Sequence, residues 1–199
     1  NNKGLGAALA WFNPTGKGLQ AKVEGVKLFA EKIAPNYPEV SDFVVNAHAL
    51  YALSHRPFAG SDAWLNAVFA DFSAAVYFQY RHGLPFKRTL PGSISYVMNR
   101  PDVKHFNLML RKEVVLSPFA HLAVSLTVEN LFNIKNVLNV YAVTGLPDDD
   151  GYQNDPLFQA ELNHYEDPDA YLMLYKLYLN NPDNFDNGRI GRLSVSLRF

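Results

Sequence analysis

Clustered carboxylates, histidines and glycines are where chemistry would begin in this chain. Asp148-Asp149-Asp150-Gly151 gathers three carboxylates, the donor chemistry of a calcium loop. In such a loop the turn glycine comes later and a glutamate closes the ligand set. Here Gly151 arrives too early and no Glu stands at the closing position, so the run reads as a solvated acidic turn. The six histidines form no H-E-x-x-H and no close pair. His105 and His121 fall on polar strand faces and read as residues of a wet interior or its rim. Gly4-x-Gly6 lacks the third glycine of a dinucleotide fingerprint, and there is no G-x-S-x-G. With no cysteine, disulfides and thiolate metal sites are ruled out. The expectation is a protein without catalytic, cofactor or metal residues, and therefore not an enzyme.

The elements around these groups have the pattern of membrane strands. Arg192-Leu193-Ser194-Val195-Ser196-Leu197-Arg198-Phe199 alternates strictly, a period of two. Leu193, Val195, Leu197 and Phe199 share one face; Arg192, Ser194, Ser196 and Arg198 share the other. An arginine facing lipid near the midplane costs about 2–4 kcal/mol, so the first set is read as membrane-facing and the second as lumen-facing. Composition agrees. Only 19% of residues are charged, against about a quarter in soluble domains. The net charge of −1 gives no reason to expect nucleic acid. The most apolar long stretch, Ala63 to Tyr80, contains Asn66, Asp71, Ser73 and Gln79, which excludes a transmembrane helix.

Seven strands are predicted: about Gly4–Phe12, Leu19–Phe29, Phe43–Ser54, Asp71–Arg81, Val103–Val115, Ala120–Phe132 and the terminal strand. Asn13 to Gly18 reads as a turn, 30–42 as a loop, and 56–70 as a connector with a short helix started by Ser61 or Asp62. The stretch from His82 to Asp102, with three prolines, reads as a long loop. Asp155-Pro156 and Asp167-Pro168 each place an N-cap before a helix-starting proline, predicting helices over about Pro156–Tyr165 and Pro168–Leu179. Short and long connectors alternate, as they do when strands cross a membrane between short periplasmic turns and long external loops. The fold class is therefore all-β: an antiparallel transmembrane β-barrel segment of about seven strands, with short helices in the last external loop. A bacterial single-chain barrel uses an even number of strands, so residues 1–199 read as a carboxy-terminal portion of a larger barrel. The alternative is a small barrel with a structural, adhesion or docking role.

Four stretches, in order, carry a family resemblance. Val128-Glu129-Asn130-Leu131-Phe132-Asn133 resembles the V-x-N-L-F-N/D at the top of the penultimate strand in TonB-dependent outer-membrane receptors. Arg81-His82-Gly83-Leu84-Pro85-Phe86 resembles their S-G-L-P-Y strand end, with His82 in place of Ser. Val140-Tyr141 and the run from Thr144 to Tyr152 resemble their last external loop. Asn181-Pro182-Asp183-Asn184-Phe185, followed by Arg189-Ile190-Gly191-Arg192-Leu193, resembles their approach to the final strand, with Gly188 in place of the common Pro. The resemblance implies a 22-stranded barrel with a plugged lumen, whose plug domain lies before Asn1. It also implies active import of a scarce nutrient across the outer membrane of a Gram-negative-type bacterium. The implied partners are outer-membrane lipid, the barrel-assembly machinery reading the Phe199 strand, a TonB-type energy-coupling protein acting through the plug, and an unidentified nutrient. Arg88, Tyr96 and Arg100 lie on an external loop where such receptors bind ligand. Tyr175, with its neighbours on the second helix, either faces a ligand or packs the loop against itself.

Overall fold

The structure, a computed structural model, describes residues 3–12, 18–29, 43–53, 63–90 and 94–199. The chain opens with strands β1 (Lys3–Trp11), β2 (Gly18–Phe29) and β3 (Phe43–Ala52), helix α1 (Ala63–Phe69) and strand β4 (Phe72–Arg81). A separate hairpin follows, β5 (Pro85–Thr89) with β6 (Ser95–Asn99). Then come β7 (Val103–Ser117), β8 (Ala120–Glu129), helices α2 (Pro156–Leu162) and α3 (Pro168–Leu179), and β9 (Ile190–Arg198). Strands β1, β2, β3, β4, β7, β8 and β9 neighbour one another in that order in a single antiparallel sheet. The seven strands read from alternation are all present.

Three departures from the expected elements have a local reason. The stretch read as a loop from His82 to Asp102 holds the β5–β6 hairpin. Pro85 opens β5, where a missing N–H costs no ladder bond. β8 stops at Glu129 because Asn130 adopts φ 50°, a left-handed conformation that leaves the ladder. α2 ends at Leu162, short of Tyr165, in a tighter turn where His164 N–H donates to the Glu161 carbonyl. Both proline-led N-caps are formed: Asp155 accepts from Leu157 N–H at 2.8 Å and Asp167 from Ala170 N–H at 2.9 Å. The turn at 13–17, the loop at 30–42 and the helix start at Ser61 or Asp62 lie outside the described residues.

Register divides the sheet into two unlike faces. Directly opposed residues point the same way, and the ranks can be followed across all six ladders. Leu9 opposes Val23, Val23 opposes Ala47, Ala47 opposes Phe78, and Phe78 opposes Phe106. Leu110, Leu126 and Leu193 form another such rank. On this face the described charges are Lys27, Lys104 and Lys112, all toward strand ends, with no Asp, Glu or Arg. The opposite face carries Lys22, Glu24, Asn46, Gln79 and His105, and toward β9 Arg111, Ser125, Ser194 and Ser196.

The ladders also slip. Trp11, the last residue of β1, shares its rank with Ala21, Ala49, Val76, Leu108, Val128 and finally Gly191, near the start of β9. The lower end of the sheet therefore descends by about eight residues, or ~26 Å, across strands spanning ~29 Å at about 4.8 Å per step. With the lower turns level, the strands lean by about 42°.

Among the described residues, large apolar side chains on the sheet stay exposed. Leu9 is 79% exposed and Leu193 72%. Buried side chains gather instead at the upper end, where Val103, Phe158 and Leu179 are almost fully enclosed together with Asn130 and Asn136. Gly83 marks how closely backbones approach there. A Cβ on it would lie 1.7 Å from the Arg100 carbonyl oxygen, while one on Gly191 would meet nothing within 4 Å. Gly83→Ala is expected to cost about 1–3 kcal/mol, and Gly191→Ala to stay within about 0.5 kcal/mol of the parent, measured by denaturant unfolding of the two variants side by side.

Candidate functional site

Aromatic side chains border the apolar face at both ends. Along the upper edge Phe43, Tyr80 and Phe106 step down from β3 to β7, and Phe132, just past the end of β8, joins them. Their rings, with Phe78, are in near-continuous contact: Phe43–Tyr80 at 5.9 Å, Phe78–Phe106 at 4.5 Å and Phe106–Phe132 at 5.0 Å. Along the lower edge Trp11, Tyr51, Phe72 and Phe199 step down in parallel. Between the rows lie Ala, Val and Leu. On β4 the two rows are Tyr80 and Phe72, ~26 Å apart along the strand at about 3.3 Å per residue and ~20 Å when that length leans by about 42°.

The polar face is cross-linked by its own side chains. Asn46 Oδ1 accepts from the Tyr77 hydroxyl at 3.0 Å and from Gln79 Nε2 at 2.9 Å, joining β3 to β4. Lys22–Glu24 and Arg111–Glu113, each at 2.6 Å, pair residues two apart on one strand, and Arg192 pairs with Glu129 across β8 and β9. Such exposed pairs contribute little stability, because water screens them. They do keep the surface wet and balanced in charge. His105 lies 3.4 Å from Asp186, tying β7 to the last loop. The lumen-facing set named from sequence, Arg192, Ser194, Ser196 and Arg198, stands on this face. Leu193, Val195 and Leu197 stand on the other, and Phe199 continues their alternation.

Above the sheet, asparagines recur every third residue at 130, 133, 136 and 139, and each does work that backbone ladders do elsewhere. Asn130 N–H donates to Asn107 Oδ1 at 3.0 Å. Its side chain accepts from Ile134 N–H at 2.8 Å and donates to the carbonyls of Ile134 and Asn187. Asn133 accepts from Arg189 N–H at 2.9 Å, and Asn136 holds both the N–H and the carbonyl of Lys104. Asn139 and the Leu138 carbonyl take the guanidinium of Arg100. This three-residue period went unread because neither the helix nor the strand template contains it.

The last loop folds on an aromatic cluster. Phe158, 1% exposed, touches Tyr152, Tyr171 and Tyr175, and Tyr165 stacks on Tyr171 at 4.0 Å. Tyr175 donates to Asp150 Oδ2 at 2.5 Å; burial first, and then this bond, push its hydroxyl well above the usual tyrosine range. Asp149 accepts from Gly151 N–H and Asp150 from Tyr152 N–H. Within the acidic run Asp148 is exposed, as a solvated turn would have it, while Asp149 and Asp150 are half-buried and bind the loop through these contacts. At the β4 exit, the Tyr80 hydroxyl at 2.6 Å holds the Asp102 carboxyl below its ordinary range against partial burial, helped by Gly83 N–H.

The four residues singled out from sequence as candidate ligand contacts separate into two pairs. Arg88 and Tyr96 oppose each other on the β5–β6 hairpin, the guanidinium 5.9 Å from the ring centroid, while Arg88 Nε donates to the Val143 carbonyl at 2.8 Å. Tyr96 stays exposed. Arg100 and Tyr175 are engaged inside the loops, by Leu138 with Asn139 and by Asp150. On α3 the exposed apolar side chains are Met173, Leu174, Leu177 and Tyr178, while Tyr171, Tyr175 and Leu179 turn inward.

Removing the Asn130 side chain strips partners from three backbone groups, the N–H and carbonyl of half-buried Ile134 and the carbonyl of Asn187. Asn130→Ala is expected to cost about 2–5 kcal/mol and Asn139→Ala, at the exposed end of the series, about 1 kcal/mol or less, read as the drop in denaturation midpoint and as faster cleavage of the last loop by added protease.

No protein-family model, curated protein or solved structure matches this chain.

Proposed function

We propose that this chain is the carboxy-terminal part of the barrel of a TonB-dependent outer-membrane receptor, serving active import of a scarce nutrient through the outer membrane of a Gram-negative-type bacterium. One observation carries the reading: an apolar face seven strands wide, bounded above and below by aromatic rows that descend with the strands. A patch ~29 Å wide and ~26 Å along the strands covers on the order of 750 Å², beyond the 300–600 Å² that a soluble monomer tolerates. Lipid removes that cost. The lean of about 42° lies within the 35–45° of transmembrane strands, and aromatic girdles flank the apolar band in such barrels. Under this reading the lower turns are periplasmic, the asparagine-rich cap is external, and the polar face lines the lumen. The open edges of β1 and β9 are then closed by further strands of the same barrel.

Val195→Arg is expected to cost about 2–4 kcal/mol of folding free energy in phospholipid vesicles, and Ser194→Arg on the opposite face about 1 kcal/mol or less. Equal penalties at both positions would count against a lipid-facing row. The transport half of the reading is checked by uptake: cells lacking the gene should lose energy-dependent accumulation of one scarce nutrient, and uptake indifferent to the inner-membrane energy coupler would refute it.

A further inference from the structure

Helix α1 hangs from the lower end of the sheet between β3 and β4. Its seven residues, Ala63-Trp64-Leu65-Asn66-Ala67-Val68-Phe69, carry no charge. Trp64 is 62% exposed and Val68, one turn later on the same side, 52%. A helix this short is marginal in water on propensity alone, and one exposing Trp and Val there gains nothing from solvent. Its carboxy-terminal end is tied to the apolar face. The Phe69 ring meets the Phe72 ring edge-on at 6.2 Å, and the Lys112 ammonium donates to the Ala70 carbonyl just past the last turn. Phe72 belongs to the lower aromatic row, so α1 continues that row outward from the sheet.

We infer that α1 is an interfacial anchor whose Trp64–Val68 side lies in the phospholipid headgroup layer at the periplasmic rim. The inference rests on the membrane reading above. Phospholipid is favoured over a protein partner because the surface is uncharged and continuous with the lipid-facing sheet. Tryptophan is moreover the residue that collects at this depth. Lys112 fits the same picture: its stem runs along the apolar face while its head reaches the helix end at headgroup level.

The chain contains no cysteine, so a single spin label can be placed at will. The whole chain carrying Val68→Cys, labelled and reconstituted in phosphatidylcholine–phosphatidylglycerol vesicles, should collide with oxygen more readily than with a water-soluble nickel chelate, at a depth of about 5–10 Å into the headgroup–acyl boundary. Ala67→Cys, also exposed, repeats the measurement should Val68→Cys misfold. Preferential collision with the nickel chelate, or protection from both probes, would overturn the anchor. A Val195→Cys label reports the sheet separately. If position 195 lies in lipid and position 68 in water, the anchor alone fails; if both lie in water, the membrane reading fails with it.

Discussion

Side chains on a strand alternate, so a ladder that slips by one residue exchanges the sheet's two faces. Six consecutive ladders here keep the same parity, which is what gathers Leu9, Val23, Phe78, Leu108, Leu126 and Leu193 on a single side. The one irregular step, between Val115 and Ser117, falls at the β7–β8 tip, below the ranks that matter. Slips by even numbers of residues leave the faces intact, and those accumulate into the lean of the strands. Parity decides what each surface meets, and the slip decides how the two aromatic rows run.

The consequence is a protein whose stabilising interactions are divided by place. Among the described residues the sheet buries little more than Ala123 and Val103, and it relies on backbone ladders and on what its apolar side meets. The cap has a core of its own, built on Phe158 and Leu179, and is sewn to the strands by asparagine side chains. Cations on the apolar side sit near its borders, where Lys112 already has a carbonyl to bind. The hairpin β5–β6 leans on the last loop through Thr89 N–H to the Ala142 carbonyl and through Arg88 to Val143, so the two segments form one surface.

Much of this was legible from residue order. Alternation located the seven strands, and Asp-Pro pairs located two helix starts, because both signals are local. The lean was not legible. Period two assigns a residue to a face but is blind to its rank, and Trp11 level with Gly191 emerges only from pairing. The β5–β6 hairpin was hidden by the prolines of this stretch, which argue against strands except at positions such as the strand start that Pro85 occupies here. Arg88 and Tyr96 fell in a stretch read as a loop, and their opposition depends on the hairpin found there. Asn130 was noticed as part of a motif, while its bonds to Ile134 and Asn187 required the chain to fold back.

Asn130 has one more effect, on assembly. Between β8 and β9 the chain makes an excursion of some sixty residues before Ile190 reaches its place beside Glu129. Closing a slack loop of that length carries an entropic penalty that grows with the logarithm of its length. Once Phe158 and its tyrosines have collapsed and Asn130 has grasped the Asn187 carbonyl, β9 is delivered beside β8 with little slack left to lose. The cap then works as a clasp that raises the local concentration of the last strand at its docking edge. It would speed closure of the sheet without touching a single residue of the ladder.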